Sequence, residues 1–407
     1  MHQRGQVTLR ARVLRTRRQF SQRFYRHIYD MEGLFFNAND GYVEGIVRGY
    51  KNNLLTSSNY STLTQCETLE GKHSTEELLW PPLRLMCFID LKLQLSPFYG
   101  DCLANVPSPL STSIIASKTT DKLIAEFRYI RAQSTSTLAK FLDYITYAYM
   151  IDNVALLITG TLHERDTREL LDRCHPLGWF ETMPVLCVAS NIEELYTSVL
   201  VETPLAAYFK DNLSSTDLDD LNIEIIRNTL YKSYLEDFHE FCTQDPAMTG
   251  TPTAEIMAEI LSFEADRRAI NITLNSFDTD LSKQDRRKLY PSFGKLYPEG
   301  AMLLSKADDR ESVRAAVEGV AEYKAFFEQG GFGSGGMMGG QQPKTLEDLF
   351  YQKEMEIAKM AFTQQFNYGI IFAWVKLREQ VYSQFSILYP FLVVSKGSAM
   401  ALSRTVR

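Results

Sequence analysis

An all-α fold is predicted for this chain by three observations. Apolar residues recur every three or four positions over long stretches, strict two-residue alternation is nearly absent, and one helical motif comes round three times. The clearest stretch is 221–242, where Ile223, Ile226, Leu230, Tyr234, Phe238 and Phe241 form one apolar stripe. Glu224, Arg227, Lys232, Glu236 and Glu240 fall mostly on the other side. Ser215 and Thr216, followed by Asp217, Asp219 and Asp220, supply a capped acidic start, and Pro246, Gly250 and Pro252 a stop.

In chain order, residues 1–30 form an Arg-rich extension with eight Arg, no Lys and one acid, Asp30, a net +7. The composition imitates a mitochondrial transit peptide. With Ser21 its one serine and irregular apolar spacing, it reads instead as a disordered or misannotated extension. Further helices are expected at 121–133, 137–159, 253–275, 345–366 and 367–380, and residues 330–342 read as a flexible glycine-rich loop.

The repeat is carried by Asp152-Asn-Val-Ala-Leu-Leu-Ile-Thr-Gly160, echoed by Asp266-Arg-Arg-Ala-Ile-Asn-Ile-Thr-Leu274 and more faintly by Asp40-Gly-Tyr-Val-Glu-Gly-Ile-Val-Arg48. A marked turn follows each copy, at Cys66–Leu69, Cys174–Leu177 and Phe293–Leu296. From Leu177 to Phe209 is 32 residues, and from Leu296 to Phe327 is 31. Three related helical units are therefore expected, at 31–151 (with 71–89 an apparent insertion), 152–265 and 266–380, followed by an atypical tail, 381–407.

Composition narrows the function. Once the +7 of the extension is set against the net charge of −7, the rest of the chain carries −14. An acidic body argues against binding a phosphate backbone, so no nucleic-acid partner is expected. Cys66, Cys87, Cys102, Cys174, Cys187 and Cys242 lack close paired spacing, which suits reduced thiols. No run of 18 apolar residues exists, so a protein working at a membrane is expected to sit on its surface or to bind an integral partner.

Catalytic patterns are mostly missing. Gly71-Lys72 is followed by His73, not by Ser or Thr, and the 330–340 glycines lack a following Lys. His163-Glu164 has no second zinc-binding His, and Cys174, His175 and Cys187 lack the spacing of a tetrahedral site. Asp219, Asp220 and Glu224 are reminiscent of the magnesium-binding helices of isoprenoid synthases. They have no facing acid cluster, and a macrodipole-stabilised helix start explains them. His239 beside an apolar stripe reads as structural. No catalytic residue, metal or cofactor is expected.

Several long strings, in order, carry a resemblance. They include Asn39-Asp-Gly-Tyr-Val-Glu-Gly-Ile-Val-Arg-Gly49, Gln65-Cys-Glu-Thr-Leu-Glu70, Phe141-Leu-Asp-Tyr-Ile-Thr-Tyr-Ala-Tyr-Met-Ile-Asp-Asn-Val154 and Cys174-His-Pro-Leu-Gly178. Asn222–Lys232, Phe263-Glu-Ala-Asp-Arg-Arg-Ala269, Leu296-Tyr-Pro-Glu-Gly300 and Lys344-Thr-Leu-Glu-Asp348 complete them. The chain resembles the d-subunit family of the vacuolar-type proton-pumping ATPase over residues 32–380. The resemblance implies a funnel-shaped assembly of three similar helical units with a pseudo-three-fold arrangement. It also implies a mechanical, non-catalytic role in proton transport and organelle acidification, passing the rotation of a central shaft to a ring of membrane proteolipids. The implied partners are the proteolipid c-ring and the central-stalk subunits, and the implied location is the cytoplasmic face of vacuolar or endosomal membranes. Arg128, Arg131, Arg227, Arg267 and Arg268 are the candidate rotor-interface residues, with surface ion pairing as the alternative for each.

Three segments depart from the family pattern. Its members begin near Met31, residues 71–89 interrupt a run that should pass from Glu70 to Asp90, and Val381–Arg407 replaces a helical tail. Retained intron sequence is the hypothesis for the last two. Finding both segments joined in the mature message would refute it. The insertion would expose Leu78, Leu79, Trp80 and Phe88, an aggregation hazard.

Overall fold

The computed structural model describes residues 33–54, 99–103, 106, 112–163, 165–186, 203–212, 223–277, 279, 281–329 and 345–380. Most of these residues are helical, and no strand occurs among them. The named helices are α1 (Gly41–Asn52), α2 (Thr112–Ala132), α3 (Ser136–Leu162), α4 (Thr167–Arg173) and α5 (Ala206–Asn212). They continue with α6 (Ile223–Gln244), α7 (Pro252–Asn275), α8 (Lys283–Lys288), α9 (Glu299–Lys306), α10 (Arg310–Val317), α11 (Ala321–Gln329) and α12 (Leu346–Ala361). A last helix, α13, spans 369–380. Residues 1–30, 71–89, 330–342 and 381–407, and the cap expected at Ser215 and Thr216, lie outside the described residues.

The long helices begin where local chemistry directs. Thr251 caps α7, its hydroxyl accepting from Ala254 N, with Pro252 at the first position where no N–H is needed. Thr345 and Asp348 form a reciprocal capping box on α12. Two predicted boundaries were off. α2 starts nine residues before the expected 121, because burial of Ile115 and Ala116 overrides the weak helix propensity of its Ser- and Thr-rich first turns. α12 ends at Ala361, not 366, because α1 seizes the next turn. Arg48 Nη1 donates to Phe362 O at 2.8 Å, and Phe366 N donates to the buried Glu44 carboxylate at 3.1 Å. Phe366 takes a left-handed φ of 60° there.

The helices share one continuous apolar core running from Val43 to Leu377. α6 lies between α3 and α7, and α12 packs on the far part of α7. Tyr144 stacks on Phe238 and on Phe241, each at 4.9 Å between centroids. α3 is long and apolar enough to cross a bilayer by composition alone. It is the core helix here, with Phe141, Leu142, Ile151, Val154 and Leu157 fully buried against its neighbours.

The turns after the second and third repeat motifs are held alike. Asn153 on α3 bonds both main-chain groups of His175, while Gly178 sits so close to Tyr149 that a Cβ there would lie 2.4 Å from its carbonyl carbon. Asp266 on α7 accepts from Lys295 N at 2.8 Å and Leu296 N at 3.1 Å, and a Cβ on Gly294 would lie 2.4 Å from its Oδ1. Leu177 and Leu296, aligned by the repeat, are both buried. The proposed unit boundaries at 152 and 266 fall inside the continuous helices α3 and α7.

Candidate functional site

Five helices far apart in the sequence converge on one cavity of about 280 Å³. α3 contributes Tyr149 and Asp152; α6 contributes Arg227, Tyr231 and Tyr234; α7 contributes Glu264, Arg267 and Arg268; α12 contributes Glu354; and α13 contributes Lys376. The apolar stripes that build the core turn these charged positions toward a shared hollow, because each charged residue is adjacent to the buried face of its helix.

The charges are matched in pairs. Arg227 donates to Asp152 Oδ1 from Nε at 3.1 Å and from Nη2 at 2.8 Å, tying α6 to α3. Glu264 receives Arg267 at 2.6 Å and Arg268 at 2.8 Å, and the Arg268 guanidinium lies 3.4 Å from the Tyr231 ring centroid. Burial pushes the Glu264 carboxyl up, but the two guanidiniums outweigh it and hold it below the ordinary value. Lys376 reaches Glu379 at 3.2 Å, and Tyr149 Oη donates to the same carboxylate. Burial alone would lower the Lys376 pKa, and Glu379, Glu354 and Glu264 raise it instead. Glu354 is held most loosely, with Arg267 at 3.7 Å and no hydrogen bond among the described residues. Its burial raises the carboxyl pKa against the pull of Lys376 and Arg267.

Of the five predicted arginines, the structure brings Arg227, Arg267 and Arg268 together at this cavity. Arg128 is exposed on α2, and Arg131 binds Asp143 at 3.1 and 3.2 Å, joining α2 to α3 away from the cavity. Glu354, Lys376 and Glu379 escaped the sequence reading, since nothing in their local spacing marks a shared site. Glu224 pairs loosely with Arg227 at 3.9 Å, while Asp219 and Asp220 lie outside the described residues. His175 stacks on Tyr149 at 4.3 Å and caps Leu177 N, and His239 stacks on Phe293 at 4.2 Å; both sit as structural groups. Among the described residues no group of three or more His, Cys, Asp or Glu is placed to hold a metal.

The cavity thus joins helices through ion pairs, and among the described residues it offers no nucleophile with an adjacent base. Comparison with known proteins agrees with a structural part. The family model described as ATP synthase (C/AC39) subunit matches residues 43–380. The V-type proton ATPase subunit d of Neurospora crassa is 67% identical over 356 residues, covering 86% of this chain and 93% of its own length. The protein of that name from Dictyostelium discoideum is 50% identical over 351 residues, covering 86% and 90%. The one from Saccharomyces cerevisiae is 50% identical over 354 residues, covering 86% and 92%. The chain belongs to the ATP synthase (C/AC39) subunit family. Within it, the chain is a non-catalytic subunit of the V-type proton ATPase, not an enzyme in its own right. These relatives support that reading over the isoprenoid-enzyme reading and that of an unrelated helical scaffold.

Proposed function

We propose that the subunit is a rigid collar between the pump's central stalk and its proteolipid ring, at the cytoplasmic face of vacuolar or endosomal membranes. On this reading the three repeat units stand around a pseudo-three-fold axis as a funnel. The observation that carries it is the closure of the first unit on the last. Glu44 and Arg48 bind the 362–366 turn, Asp40 accepts from Tyr368 Oη at 2.6 Å, and Arg378 meets Glu126 at 2.8 Å. A helical assembly tied end to end resists twist better than an open row, because close-packed interiors transmit strain. Arg227, Arg267 and Arg268 contribute to the grip on the rotor, and the cavity they line lies where elements of all three units meet.

Affinity purification of the tagged subunit from cell membranes, followed by subunit identification, tests the placement. Proteolipid and central-stalk subunits are expected together with it; a complex lacking proteolipid would end the collar reading. Arg268→Glu is expected to lower proton pumping per ATP hydrolysed while the pump still assembles.

A further inference from the structure

Four cationic side chains line the cavity, Arg227, Arg267, Arg268 and Lys376, with three carboxylates, Asp152, Glu264 and Glu354, and Glu379, outside the lining, neutralises Lys376 at 3.2 Å. It is therefore electrically balanced without a guest. Three of its polar groups have bonding capacity to spare. Among the described residues the Glu354 carboxylate accepts no hydrogen bond and the Tyr234 hydroxyl has no partner. Arg268 uses only Nε on Glu264, leaving its terminal nitrogens over the Tyr231 ring without a carboxylate. A charged guest would break the balance inside a half-buried space, where an uncompensated charge is costly. A guest of no net charge that both donates and accepts would satisfy all three groups. At about 280 Å³ the space falls just under the roughly 300–1,000 Å³ of small-molecule pockets, and suits one or two side chains better than a cofactor.

We infer that this cavity receives a short, uncharged, amide-bearing segment of a partner polypeptide of the pump, whose N–H groups bond Glu354 and whose carbonyl oxygens face Arg268. This rests on the collar reading and names what the collar grips.

The test uses the intact pump and the free subunit side by side. Carbodiimide with glycine ethyl ester labels accessible carboxylates, and mass spectrometry reads the extent at Glu354. Measurable labelling in the free subunit, through the cavity mouth, and at least about tenfold less in the assembled pump is expected, about the 1.4 kcal/mol that separates a tenfold ratio. Glu354→Gln is expected to speed loss of the subunit from the isolated membrane sector by about tenfold, the worth of one charge-assisted hydrogen bond. Exposed Glu299→Gln is the control and should leave that rate unchanged. An uncharged guest predicts that the ratio between Glu354→Gln and the parent is the same at low and high salt. A ratio that collapses at high salt means a charged guest and overturns the inference. Equal labelling of Glu354 in free and assembled forms overturns it too, with the collar reading intact so long as the subunit stays in the complex. Thermal unfolding of Glu354→Gln separates a folding defect from a lost contact, and the labelling of the parent protein decides the matter even if that variant is unstable.

Discussion

Asp266 is 2% exposed and accepts three hydrogen bonds, from Lys295 N, Leu296 N and Tyr323 Oη. Burial nonetheless pushes its carboxyl up to about 6 from an ordinary 3.8, the donors offsetting only part of the desolvation. A carboxyl raised on folding binds more protons folded than unfolded between those two values. Its contribution to stability is therefore full below about 4 and is lost as pH rises to about 6. The difference in unfolding free energy between the parent and Asp266→Asn, measured by urea denaturation, should fall over that window by no more than about 3 kcal/mol. A flat difference would mean the donors dominate. Arg378 and Glu126 present the opposite case, a pair with side chains 2% and 11% exposed. Glu126→Ala leaves a buried guanidinium unmatched and should cost about 3–5 kcal/mol, read as a lower urea midpoint. At this scale the sequence was only half legible. Arg227, Arg267 and Arg268 could be picked out, with Arg128 and Arg131, as charged positions on long helices. Glu354 and Lys376 could not, because the cavity exists only where helices from distant parts of the chain meet.

Helix identity could be read from periodicity because burial and the 3.6-residue repeat act together on α3, α6 and α7. Helix ends could not where a distant element decides them, as Glu44 and Arg48 do at Ala361. Glu44→Gln leaves the helix α1 itself intact and removes the charged acceptor of Phe366 N. It should cost about 1–3 kcal/mol and increase amide exchange at residues 362–368 before elsewhere. Gly178 is a second such junction. A methyl group there meets the Tyr149 main chain, so Gly178→Ala should lift the 175–178 turn from α3 and cost about 1–3 kcal/mol in a thermal melt.

Across the whole molecule, the all-α class and the family could be read directly, since both rest on patterns and strings that need no tertiary contact. Three repeat units are a proposal read from the recurring motif, and the 175 and 295 turns are each pinned to a long helix. Their closure into one body could not, because it depends on side chains more than 300 positions apart. If closure is what carries torque, weakening it should uncouple the pump. Arg48→Ala vesicles should hydrolyse ATP at near the parent rate while their acidification, followed with a pH-sensitive dye, slows. Unchanged acidification would show that the latch stabilises the subunit without serving rotation.

The same latch sets a timetable for synthesis. Glu44 and Arg48 leave the ribosome long before residues 362–366 exist, and at roughly 5–20 residues per second the wait is on the order of 15–60 s. During that interval the two side chains have only each other, in an i,i+4 pair that holds the helix but leaves its apolar flank open. Nascent chains halted before the last fifth of the sequence should therefore engage holding chaperones, and release should follow once α13 has been made.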